Sequence, residues 1–188
     1  MARCAYFYWH CALFGGKNQT DTMKNPTLYI FSGLPGSGKS TLAKELSRTI
    51  GAVYIRIDTI EQALRDLCHC TVQGEGYRLA YRLIADNLRL GSSVVADSCN
   101  PIALTRREYE TIAEKCACAY QNIEIICSDK TEHKHRVETR SGDIPNLNLP
   151  TWEEVESRAY DLWTEKHIVI DTARKSIENC LRELLCKR

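Results

Sequence analysis

Nine residues, Gly33-Leu34-Pro35-Gly36-Ser37-Gly38-Lys39-Ser40-Thr41, constrain this chain more than any other stretch. They satisfy G-x-x-x-x-G-K-[ST], with Gly33, Gly38, Lys39 and Ser40 at the specified positions. Such a loop turns successive backbone N–H groups inward around phosphate oxygens, and it needs a strand before it and a helix after it. Both flanks are present. Thr27 to Phe31 is a short, apolar, β-prone run, and Lys39 to Ile50 reads as a helix with Leu42, Ala43, Leu46 and Ile50 inward. All nine residues are expected to hold ATP, with Lys39 reaching the β- and γ-phosphates and Ser40 binding Mg²⁺.

From Pro26 onward strand and helix patterns alternate. Further strands are expected over 52–57, 93–96, 123–127 and 167–170. Helices are expected over 60–67, 77–90, 102–116, 131–141, from 151 and over 174–186. The 77–90 helix carries Leu79, Leu83, Ile84 and Leu88 on one face and stops at Gly91; Thr151-x-x-Glu154 reads as a capping box. Strands alternating with helices imply an α/β fold, a parallel sheet covered on both faces. The carboxyl ends of its strands then share one edge with the phosphate loop.

That edge is expected to collect Asp58, Asp97 and Asp171, each read as the end of a strand. An aspartate beside a triphosphate either helps hold magnesium or accepts the proton of an attacking hydroxyl. Asp58 is read as the base or a substrate contact, with a helix N-cap as its plain alternative. Asp97 closes the hydrophobic run Val94-Val95-Ala96 and is assigned to the metal together with Ser40. Asp97 and Asn100 are also placed among the substrate-binding residues. Asp171 is expected to shape the loop near the nucleotide's base, or simply to cap the last helix.

Residues 133–140 are dense in cations. Arg136 and Arg140 stand four apart, so a helix puts them on one face. A segment over about 130–150 is expected to form a small lid whose two arginines neutralise the transferring phosphoryl group. His133 and His135 are expected at the surface, and Trp152, Tyr160 and Trp163 in packing. Arg56 and Arg65 receive no role.

Composition narrows the classes. The 188 residues suit one domain with a real core. Lys plus Arg number 25 against 24 Asp plus Glu, which gives no strong field for non-specific nucleic-acid binding, so nucleic acid enters only as a substrate. No run approaches the roughly 20 apolar residues of a membrane span. The ten cysteines are read as scattered reduced thiols of a cytoplasmic protein, since Cys68-His69-Cys70 and Cys116-Ala117-Cys118 lack zinc spacing. Residues 1–22 differ in character from the rest. They are expected to be a disordered or non-native extension, with the domain running over 23–188.

Together with Arg56-Ile57-Asp58, Val95 to Pro101, the His135-Arg136-x-x-x-Arg140 segment, Asp143-Ile144-Pro145 and Pro150-Thr151-Trp152, the loop resembles that of a known group. The chain is similar, from about Met23 to its end, to the P-loop predicted kinases (AAA_33-type), which are related to the kinase domain of polynucleotide kinases. The resemblance implies a five-stranded parallel sheet of nucleoside-kinase type with a small lid. It also implies ATP, Mg²⁺ and transfer of the γ-phosphoryl group to a hydroxyl of a small molecule or nucleic-acid end. In polynucleotide kinases the aspartate matching Asp58 deprotonates that hydroxyl. The alternative is a nucleotide-binding switch without an acceptor, in which case no open cavity is expected beside Asp58.

Overall fold

The computed structural model describes residues 25–188; the extension expected over 1–22 lies outside the described residues. These residues form five strands, β1 (Thr27–Ser32), β2 (Val53–Arg56), β3 (Val94–Asp97), β4 (Ala119–Ile126) and β5 (Ile168–Asp171). All neighbours pair in parallel, in the order β2-β3-β1-β4-β5. The sheet is therefore the expected one, with β1 and its phosphate loop at the centre.

Period-two alternation decides which side each residue serves. In β1, Leu28 and Ile30 face one core while Tyr29 and Phe31 face the other. The first core is closed by α3 (Glu75–Arg89) and α4 (Ala103–Lys115) through Ala80, Ile84, Leu88, Tyr109 and Ala113. The second is closed by α1 (Lys39–Ile50) and α7 (Ile177–Lys187) through Leu42, Leu46, Cys180 and Leu184. Both faces are covered, as a parallel sheet requires.

Two local differences from the expected elements bear on function. β2 stops at Arg56, and α2 (Ile57–Cys68) starts at once, earlier than expected. Asp58 is thus in the first turn of a helix, where a negative charge is favoured by the helix dipole, and not at a strand end. In α3 the inward stripe is Gly76, Ala80, Ile84 and Leu88, whereas Leu79 and Leu83 stay 39% and 48% exposed. Close approach explains the choice. A Cβ on Gly76 would lie 2.2 Å from Cγ of Glu61 on α2, so only the small-residue side lets these two helices meet.

Above the sheet, α5 (Lys130–Thr139) and α6 (Trp152–Glu156) form the small lid. Asp129 caps α5 by accepting from the N–H groups of Thr131 and Glu132, and both bonds of the Thr151–Glu154 capping box are made. Val137, Trp152 and Val155 pack together over Leu34 of the phosphate loop. Among the described residues no helix is long and apolar enough to cross a membrane.

Candidate active site

The loop from Gly33 to Gly38 is fastened on three sides. Gly33 N–H donates to the Cys99 carbonyl (3.1 Å), and the Thr172 hydroxyl donates to the Ser37 carbonyl (2.8 Å). On the lid side, His133 Nε2 lies 2.9 Å from the Pro35 carbonyl oxygen. His133 is not the surface residue expected; it is 8% exposed and meets the Trp152 ring edge-on at 5.3 Å. Its spacing of four from Val137 is the reason, because both then face the loop.

Gly36 sits at φ 83, where a Cβ would come within 2.5 Å of Val137 Cγ2. Gly36→Ala therefore meets both a left-handed backbone and a packed helix. The variant is expected to keep its circular dichroism spectrum while binding Mg·ATP at least about tenfold more weakly, a loss of about 1.4 kcal/mol by calorimetry. Unchanged affinity would show that the lid contact does not shape the phosphate site.

α1 makes its first internal bond from Leu42 N–H to the Gly38 carbonyl, so Lys39, Ser40 and Thr41 bring to the cavity floor N–H groups with no backbone partner among the described residues. Three buried side-chain donors nearby also lack partners among the described residues: the Ser37 hydroxyl, Arg56 Nε and Arg140 Nε. Buried polar atoms are seldom left so. Arg56 and Arg140 belong to the wall of the cavity described below, and together with the N–H groups of its floor they fit a polyanion such as a nucleoside triphosphate.

Beneath the floor lies a buried ion pair. Lys39 Nζ is 2.7 Å from Asp97 Oδ1, and the Tyr54 hydroxyl donates to Oδ2 at 2.6 Å. Burial alone would raise the Asp97 pKa; the Lys39 charge, with hydrogen bonds from Lys39, Tyr54 and Ser40, holds it below the ordinary value. Burial likewise works against the Lys39 ammonium, and Asp97, together with Cys99 and Asp58, more than offsets it. Burial and the adjacent Asp97 charge push the Tyr54 hydroxyl far up, so it stays a donor. Asp97, 1% exposed, is therefore sealed under Lys39. The substrate contact expected of it has no surface to act through, and a metal role requires Lys39 to move aside.

Above the pair opens a cavity of about 680 Å³, walled by the loop, Lys39, Ser40, Arg56, Asp58 and the lid arginines. A second cavity of about 460 Å³ adjoins it, and Asp58, Glu61, Cys99 and Arg158 belong to the walls of both. Asp58, its side chain 41% exposed, thus looks into each cavity. It is not the N-cap of α2, which is Arg56.

Asn100 needs correction. It is fully buried and belongs to neither cavity. Its amide donates to the Ser32 hydroxyl (3.0 Å), and its carbonyl Oδ1 accepts from Thr105 (2.6 Å). It pins the β3–α4 turn to β1, away from the walls of both cavities. Asp171 does not cap α7, which starts from Ser176; it accepts from the N–H groups of Ser128 and Ala173 and ties the two strand ends together.

The lid arginines also differ from expectation. α5 ends at Thr139, so Arg140 is its C-cap and does not share a helical face with Arg136. Arg136 bonds the Thr172 hydroxyl (2.8 Å), the Thr172 carbonyl (3.1 Å) and Glu132. Arg140 has one long contact, 3.5 Å to the Pro150 carbonyl, and its guanidinium is half-buried in the cavity wall. Burial, the largest cause, lowers its pKa, with Cys99 and Asp58 opposing.

Two residues without a predicted role complete the site. Arg56 lies 3.8 Å from both Asp58 and Asp97, and its Nη1 donates to Asp143 Oδ1 at 2.7 Å. Asp143, on the segment after α5, also bonds Lys44 of α1. Hydrogen bonds from Lys44 and Arg56 pull the Asp143 carboxyl down to about 2. This latch ties the segment after α5 to α1 and β2 at the cavity wall. Period-two alternation in β2 does put Tyr54 and Arg56 together on one face, a usable signal for Arg56. Among the described residues the cysteines are free, and no His, Cys, Asp or Glu cluster of three stands ready for a metal.

Residues 28–162 match the AAA_33 family model, described as an AAA domain. Over 63 residues the chain is 41% identical to adenylate kinase 1 of Synechocystis sp., a match that spans 33% of this chain and 34% of that enzyme. Among solved structures, the APS kinase of Mycobacterium tuberculosis in complex with AMPPNP and APS superposes with a TM-score of 0.64 at 16% identity, covering 86% of this chain and 96% of that one. A gluconokinase from Sinorhizobium meliloti superposes with a TM-score of 0.61 at 16% identity, covering 87% and 91%. At such identities the likeness establishes the fold, a P-loop kinase-type sheet.

Proposed function

Since the chain belongs to the AAA_33 family, we propose that it is a Mg²⁺-dependent phosphotransferase that moves the γ-phosphoryl group of ATP to a hydroxyl of a small molecule or nucleic-acid end. One observation carries this reading. Asp58 and the phosphate loop wall the same open cavity, and a second cavity meets it beside Asp58. A switch that only senses nucleotide has no use for that second space.

Mg²⁺ would neutralise phosphate oxygens and align the transferring group. The chain's own groups do the rest. The N–H groups of Gly36 to Thr41 cradle the phosphates. Lys39 leaves Asp97 for the β- and γ-oxygens, which frees Asp97 and Ser40 to organise the metal. Asp58 accepts the proton of the acceptor hydroxyl as its oxygen bonds to the γ-phosphorus and the bond to the β–γ bridging oxygen breaks, leaving ADP. Arg140, which has no carboxylate partner among the described residues, brings its positive charge over the reacting group, and Arg136 holds the loop through Thr172 until the nucleotide competes for it. The Asp143 latch keeps water out, which limits hydrolysis of ATP. The domain is taken to run over 23–188, with 1–22 outside it. The free thiols of the described residues support a cytoplasmic setting.

The test is transfer of label from γ-³²P-ATP to a panel of alcohols: sugars, amino-sugar antibiotics, nucleosides and oligonucleotides with a 5′-hydroxyl. Labelled product with one class is the expected result. ATP turnover no faster with any acceptor than without one, at saturating Mg·ATP, would overturn transfer and leave the switch.

A further inference from the structure

We infer that the acceptor is an anionic alcohol whose negative group is read by Arg158 and Arg78 in the second cavity; this rests on the phosphotransferase reading above. The charges of the site divide into two groups. Arg56, Arg65 and Arg136 each have a carboxylate of the protein within ion-pair range: Asp143 at 2.7 Å, Glu61 at 3.2 Å and Glu132 respectively. Arg158 and Arg78 have none among the described residues, and neither guanidinium donates a hydrogen bond there. Arg158 stands at the junction of the two cavities and Arg78 in the wall of the second alone.

The carboxylates that share this second cavity are not available to them. Glu61 is bonded by Arg65, and Glu108 accepts from the Tyr81 hydroxyl at 2.8 Å. Asp58 is the proposed base. Arg140 is assigned above to the transferring phosphoryl group, and Glu75 acts on Arg78 only from beyond ion-pair range. Arg158 and Arg78 are then the two guanidinium forks left to the second cavity, an arrangement suited to bidentate recognition of phosphate or carboxylate. The loop N–H groups, Lys39 and Arg140 are the proposed partners of the nucleotide's phosphates, which leaves Arg158 at the junction and Arg78 in the second cavity for another anion. The same cavity also has apolar lining. Tyr77 and Tyr81, edge to face at 6.1 Å, with Ile102 and Pro101, give the rest of the acceptor aromatic and aliphatic surface to pack against.

The experiment uses the protein loaded with Mg·AMPPNP and matched pairs of probes. Glycerol 3-phosphate and glycerate are each compared with glycerol, and nucleoside monophosphates with their nucleosides, by calorimetry. The expected result is that the charged member of at least one pair binds tenfold or more tighter than its neutral parent. Arg158→Ala should remove most of that preference, and Arg158→Lys should restore part of it; AMPPNP affinity, measured in parallel, reports folding. The phosphate and carboxylate arms separate the two kinds of anion. Neutral parents that bind as tightly as charged probes, a preference that survives both Arg158→Ala and Arg78→Ala, or no binding of any charged probe would overturn the inference. Failure of the underlying reading looks different. Labelled phosphate moving to a neutral alcohol keeps the phosphotransferase and sinks the anionic acceptor. Arginine-dependent binding with no phosphate transfer to any probe keeps the anion site and sinks the phosphotransferase.

Discussion

Lys39→Ala is expected to leave no measurable phosphotransfer and to destabilise the protein at the same time. The two effects have one cause. Lys39 is the buried partner of Asp97, at 2.7 Å, and the cation nearest the phosphate cradle. Truncating one member of a buried ion pair strands the other, at a typical cost of about 3–5 kcal/mol. Here Tyr54 still donates to Asp97 and Arg56 stands 3.8 Å away, which puts the loss toward the lower end. The loss of rate is larger, about a thousandfold or more, since phosphoryl transfer draws its acceleration chiefly from positioned positive charge. A second substitution separates stability from chemistry. In Lys39→Ala combined with Asp97→Asn the stranded charge is gone, so urea unfolding should recover much of the stability while label transfer stays absent. Recovery of activity along with stability would mean that Lys39 acts only as a structural counter-ion.

The parts of this molecule that are legible in the sequence are those decided over a short span. The phosphate loop needs only its own glycines and its two flanks, and α1 occupies the expected residues, Lys39–Ile50. The sheet follows from alternation of apolar runs. What the sequence conceals is set by partners far along the chain. Asp143 reaches Lys44 across 99 residues and Arg56 across 87, and His133 supports Pro35 across 98. Local spacing can show which face Arg56 and His133 share with Tyr54 and Val137, but it does not show the distant partner that makes that face a buried one. Asn100 misleads for the opposite reason. Its place after Asp97 at the sheet edge is right, but a left-handed turn at φ 47 points its amide back into the core. The α3 stripe shows a third limit: periodicity finds a helix, while the size of Gly76 and Ala80 decides which face approaches a neighbour.

Asp58→Asn tests the chemistry most directly, and its expected signature is a split between binding and turnover. The amide has the shape of the carboxylate and keeps its hydrogen-bonding oxygen, but it does not take up a proton. Loss of a general base costs about 10²–10⁴ in rate, and the whole of it should fall on kcat. Mg·ATP affinity should stay within about twofold, because Asp58 makes no hydrogen bond to the loop and its nearest charge is Arg56 Nε at 3.8 Å. Stability should barely move. An ion pair with one side chain 41% exposed contributes at most about 1 kcal/mol, and an acid in the first turn of α2 adds only about 0.3–1 kcal/mol through the helix dipole. A purely structural Asp58 predicts the reverse pattern: a small change in unfolding midpoint with wild-type kcat. Full turnover in Asp58→Asn, measured with an acceptor that the wild type phosphorylates, would therefore remove the base from the mechanism and reduce Asp58 to a favourable helix start beside an open cavity.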